Sequence, residues 1–212
     1  SLKFTWQSVV SAIEKILPII APSTNQIDPY FKRGYARINQ IWDCIQRSNG
    51  IVLKSMCISA MDDFEKSFAE YATIESIANT LWLIFVLYYL LPDEQAVKLG
   101  EAIINGNGIK KDFPKKYLLK GESSTSVKDS KRKRRFASDQ HDQIMELIKI
   151  LKESPRYSEL GDYYLALQYV LGIVDNENGE EINQLIGMAM MGAFLELDNP
   201  YVESFFEATL SQ

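Results

Sequence analysis

Leu81-Trp-Leu-Ile-Phe-Val-Leu-Tyr-Tyr-Leu-Leu91 is the most apolar stretch of the chain, eleven residues without a polar break. Pro92-Asp93-Glu94 ends it, and Glu75 lies upstream beyond Asn79 and Thr80. A bilayer crossing takes about 20 apolar residues, so the run is too short for a membrane span. Apolar on every side, it has the character of a helix enclosed in a protein core. A central helix of this kind needs other helices around it, and the rest of the sequence supplies their patterns.

Upstream, Trp6, Val9, Val10, Ile13, Ile16, Leu17 and Ile20 recur at three- and four-residue steps, and Pro22 ends that stripe. Such spacing puts apolar side chains on one helix face. Asp28-Pro29 has the form of an N-cap followed by proline at the first helical position. Phe31, Tyr35, Ile38, Ile41, Trp42 and Ile45 follow, stopped at Ser48-Asn49-Gly50. A third stripe joins Leu53, Met56, Cys57, Ala60, Met61, Phe64, Phe68 and Tyr71, and Thr73 is placed to cap the helix that carries the apolar run. Asp93 would cap a fifth helix with Ala96, Val97, Leu99 and Ile103 inward.

Downstream, Ser138-Asp139-Gln140 is a helix start, followed by Ile144, Leu147, Ile148 and Leu151. Ser154-Pro155 is expected to open the next helix, with Leu160, Tyr163, Tyr164, Leu167, Val170, Leu171 and Val174 inward. After a turn at Asn176–Gly179, Ile182, Leu185, Ile186, Ala189, Ala193 and Phe194 are the expected inward face of another helix. Gly187 and Gly192 on that helix would permit close approach to a neighbour. Asn199-Pro200 repeats the cap-then-proline signal before Val202, Phe205, Phe206 and Leu210. No strand-like alternation intervenes. The sequence predicts an all-α, multi-helix bundle of about nine helices.

Composition agrees with one domain, or at most two small ones: 212 residues, 46% hydrophobic and 24% charged. That apolar content excludes a chain disordered throughout. Two cysteines, Cys44 and Cys57, exclude a disulfide scaffold. They fall on separate predicted helices without ligand spacing, as buried thiols do. No signal-peptide layout opens the sequence, since polar Thr5, Gln7 and Ser8 interrupt any apolar run. The expectation is an intracellular, cytoplasmic protein.

The net charge of −5 conceals a partition. Residues 1–109 hold nine basic and eleven acidic side chains, residues 110–136 eleven and three, and residues 137–212 three and fourteen. The segments therefore carry −2, +8 and −11. The organisation read from this is an N-terminal helical part (1–109), a basic Ser/Lys/Arg-rich linker (110–137), and an acidic C-terminal helical part (138–212) that shares one body with the first. Two clusters hold ten of the linker's eleven cations: Lys110, Lys111, Lys115, Lys116 and Lys120, then Lys131-Arg132-Lys133-Arg134-Arg135. A solvated loop, or one neutralised over the acidic helices, explains them. So does polyanion binding, with affinity dominated by phosphate contacts and falling with salt. With few aromatic residues among the cations, base stacking has little support.

His141 is the single histidine, which argues against a histidine metal cage; no metal or cofactor is expected. Arg135-Phe-Ala-Ser-Asp-Gln-His141 resembles the Arg-x4–6-His motif of HEPN-family ribonucleases, themselves helical bundles. The resemblance implies that Arg135 and His141 would act together at a dimer interface on the RNA 2′-hydroxyl and phosphate. It covers seven residues, and Phe136 stands where the family usually has a polar residue. Asp175–Glu181 fails as a calcium loop, because Glu180 and Ile186 occupy the positions that need Gly and Glu. Asp62-Asp63-Glu65 and Glu180-Glu181 lack the Glu-x-x-His partner of a di-iron site, and Gly106-Asn-Gly108 lacks the Lys-Ser/Thr of a phosphate loop. Met188, Met190 and Met191 suit adaptable core or a partner groove. The functional expectation is a non-catalytic interaction or adaptor module, with a protein partner on its helix faces and self-association possible in principle. The alternative is a nucleic-acid-associated protein, with the HEPN-like ribonuclease as its catalytic form.

Overall fold

A computed structural model describes residues 6–47, 54–86, 138–171 and 180–210. Eight helices and no strand occur among the described residues. In chain order they are α1 (Trp6–Ile16), α2 (Pro29–Arg47), α3 (Lys54–Tyr71), α4 (Ile74–Phe85), α5 (Ser138–Glu153), α6 (Ser158–Val170), α7 (Glu180–Glu196) and α8 (Pro200–Leu210). The all-α bundle expected from periodicity is the architecture found. The helix expected after Asp93 lies outside the described residues.

α4 is the enclosed helix. Every residue from Ser76 to Phe85 is buried, and so is Val86, which follows. The remainder of the apolar run lies outside the described residues. No described helix is long and apolar enough to cross a membrane. α4 packs against α2 and α3 on one side and α5 on the other. α3 lies against α2, α5 against α6, and α6 against α7, while α8 closes on α1, α6 and α7. The first and second four-helix groups thus pack on each other at α4–α5 and at α1–α8, around one continuous apolar cluster.

Two boundaries differ from expectation for identifiable reasons. α1 stops at Ile16, ahead of Pro22, because Pro18 has no N–H to continue the helix and disfavours helical geometry at Leu17. Ile20 is therefore off the helix. Its backbone is paired by the side chain of buried Asn79, whose Oδ1 accepts from Ile20 N (2.8 Å) and whose Nδ2 donates to Ile20 O (3.0 Å). Ser154-Pro155 makes a turn, with Tyr157 N donating to Ser154 O, and α6 begins only at Ser158.

The two cap-then-proline signals hold. Asp28 Oδ1 accepts from Tyr30 N and Phe31 N, each at 3.0 Å, and Asn199 Oδ1 accepts from Tyr201 N and Val202 N. Thr73 occupies the N-cap position of α4 but makes no side-chain cap bond. Its hydroxyl donates to Asp28 Oδ2, as does that of Ser67, and Ser67 also shares a hydrogen bond with Ser76. One buried carboxylate thereby ties the start of α2 to the end of α3 and the start of α4.

Candidate functional site

α7 is built to lie close to α6. A Cβ placed on Gly187 would meet the Val170 backbone N and side chain at 2.6 Å and the Ala166 carbonyl at 3.0 Å. That close approach fixes the rotation of the helix. Asn183, Gly187 and Met191, at four-residue steps, are buried, with Ile186, Met190 and Phe194 half-buried beside them. The expected inward set is therefore corrected: Ile182, Leu185, Ala189 and Ala193 face outward. Ile182 is 51% exposed, Leu185 71% and Met188 42%, and Leu195 is also exposed. Gly192 has open space around it, unlike Gly187. Leu197, just beyond the helix, is exposed as well.

The helix is apolar on both sides, and the described residues cover only one of them. Charge is confined to its ends by sequence, with Glu180 and Glu181 at the start and Glu196 at the last position. The methionines divide accordingly. Met191 is in the core, Met190 is packed against it, and Met188 belongs to the outward face.

Elsewhere, a cavity of about 260 Å³ is lined by Ile13, Glu14, Leu17, Pro18, Ile19, Trp42 and Trp82. Glu14 Oε1 accepts from Gln46 Nε2 at 3.1 Å and from Trp42 Nε1 at 3.4 Å, while Trp82 Nε1 donates to the Leu17 carbonyl. Its polar groups are spent on one another, and its volume falls below the range common for small-molecule sites.

Buried tyrosines join the helix groups. Tyr163 donates to the Ile16 carbonyl at 2.5 Å, and Tyr157 donates to Glu75 at 2.9 Å, with Arg156 over its ring. Burial raises the phenol pKa of Tyr157, Tyr163, Tyr164 and Tyr201 above the ordinary value, and at Tyr157 the bond to Glu75 adds to the effect. None of these phenols is poised to act as an acid or base near neutrality.

Among the described residues no cluster of three or more His, Cys, Asp or Glu side chains is arranged to hold a metal. Cys44 is a free, half-buried thiol near Met56. Lys110, Lys111, Lys115, Lys116, Lys131, Arg132, Lys133, Arg134 and Arg135 lie outside the described residues. His141 is the fourth residue of α5. No protein-family model, curated protein or solved structure matches the chain.

Proposed function

We propose that this protein is a non-catalytic interaction module of the cell interior, an adaptor that holds a protein partner on the outward face of α7. The observation that carries this reading is the row of Ile182, Leu185, Met188 and Leu195, exposed on a helix whose opposite side is already packed. Covering a large aliphatic side chain yields roughly 1.5–3 kcal/mol, so a few such residues supply the centre of a specific interface. An apolar face opposite an apolar core contact serves no purpose in folding this helix against α6.

The test is site-specific photo-crosslinking in cells from position 185, compared with position 203 on α8. The expected result is a discrete adduct from 185, lost when Ile182 and Met188 are both changed to lysine, with the melting temperature of that variant kept. Absence of any adduct from 185, or an adduct indifferent to the lysines, overturns the reading.

The five consecutive cations at Lys131–Arg135 favour a second reading, in which the chain associates with nucleic acid through its basic segment. The HEPN-like form of that reading requires RNA cleavage that disappears in His141→Ala. Neutralising Lys131–Arg135 without loss of a salt-sensitive RNA or DNA complex removes its support.

A further inference from the structure

α2 carries Arg33 and Arg37 one turn apart, a like-charge spacing that destabilises a helix unless something bridges it. The bridge is Asp63 of α3, which is fully buried. Arg33 reaches Asp63 Oδ1 through Nε at 2.9 Å and Nη2 at 2.7 Å, and Arg37 donates Nη1 to Oδ2. Burial of the carboxylate explains one arginine, because an unpaired buried charge is costly. Its two oxygens take three guanidinium donors, two from Arg33 and one from Arg37.

Against this one carboxylate the two guanidiniums carry one positive charge in excess, with the Lys66–Asp62 pair beside them neutral as a pair. Arg33 remains 50% exposed and Arg37 33% exposed. Asp63 engages Arg33 Nε and Nη2 and Arg37 Nη1, which leaves Arg33 Nη1 and Arg37 Nε and Nη2 outside that pairing. A third cation stands beside them. Lys66 pairs with Asp62 at 2.9 Å and lies 5.8 Å from the centre of the Tyr30 ring, which Arg33 approaches at 5.7 Å. Two guanidiniums are thus held side by side on one fixed carboxylate, flanked by an aromatic ring and an ammonium group, on side chains that remain partly exposed.

We propose that Arg33 and Arg37, positioned by Asp63 and accompanied by Tyr30 and Lys66, form a recognition site for a single phosphoryl group on a phosphoserine- or phosphothreonine-containing peptide. Planar guanidinium forks suit phosphate oxygens, and arginine clusters are a recurring solution for phosphorylated motifs. The pair spans one helical turn, about 6 Å of rise, which accommodates one phosphate. A nucleic-acid backbone places charge at short, regular intervals and calls for a longer track of cations. The site stands on α2 and α3 and is independent of the α7 face, so either fails without the other.

The test monitors the arginine Nε–Hε NMR signals of the full chain during titration with a degenerate phosphoserine/phosphothreonine peptide pool, the same pool unphosphorylated, and mixed-sequence single-stranded RNA. The phosphorylated pool is expected to shift Arg33 and Arg37 signals, and the unphosphorylated pool is not. Arg37→Gln is expected to weaken binding about tenfold or more. Should Arg37→Gln unfold the chain, Arg37→Lys keeps the charge but loses the fork and is expected to weaken binding in the same direction. Equal shifts from both pools, shifts with RNA only, no shift at all, or unchanged binding in a folded Arg37 variant each overturn the proposal.

Discussion

Asp28 satisfies four donors with two oxygens: two backbone N–H groups that open α2, and the hydroxyls of Ser67 and Thr73. Asp28→Ala strands all four in a buried place and is expected to lower stability by about 3 kcal/mol or more, read from chemical denaturation. Asp28→Asn keeps the cap acceptor while its amide faces hydroxyls able to turn and accept, so it should cost clearly less. Equal losses in the two variants would show that the hydroxyl contacts, and not the cap, dominate. Half of this role was legible in advance, because Asp-Pro before an apolar stripe announces a helix start. The other half was not, since it depends on partners 39 and 45 residues away. The same holds for Asp63. In sequence it is one of a group of acids, and only packing of α3 on α2 brings Arg33 and Arg37 to it.

Among the elements, α7 shows where periodicity stops being informative. A helix with apolar residues all round offers two readings of which face turns inward, and spacing alone favoured the larger side chains. The packing is decided by the smallest one, because Gly187 lets the α6 backbone come near. Gly187→Ala puts a methyl group against backbone atoms that cannot yield, and is expected to lower stability by about 2 kcal/mol. Gly192→Ala meets nothing and should raise it by up to about 1 kcal/mol through helix propensity. Thermal melts of the two single variants check the opposite signs. The outward face proposed for a partner was consequently hidden in the sequence within what passed for a core stripe. By contrast, α2, α5 and α8 were legible, because each has one clear apolar face and a strong start signal.

For the whole molecule, the buried tyrosines set a pH limit. Tyr157, Tyr163, Tyr164 and Tyr201 have phenol pKa values raised in the fold above the ordinary 10.0. A group with a raised folded pKa contributes stability in full below its unfolded value and loses it as pH climbs toward the folded value. The melting temperature should therefore hold up to about pH 9 and fall steeply above about pH 10, with phenolate absorbance at these sites appearing together with unfolding. Phenolate formation at all four sites in a still-folded protein near pH 10 would contradict the burial that joins the two helix groups.

The hydrogen bond from Tyr163 to the Ile16 carbonyl also orders events in time. Its partners are 147 residues apart. At a synthesis rate of about 5–20 residues per second, the carbonyl end of α1 is made roughly 7–30 s before the hydroxyl that satisfies it. α8, which also packs on α1, is made later still. α1 is thus secured in two stages: Trp42 of α2 and Asn79 and Trp82 of α4 reach it and the residues that follow it early, while its contacts with α6 and α8 wait for the second half of the chain.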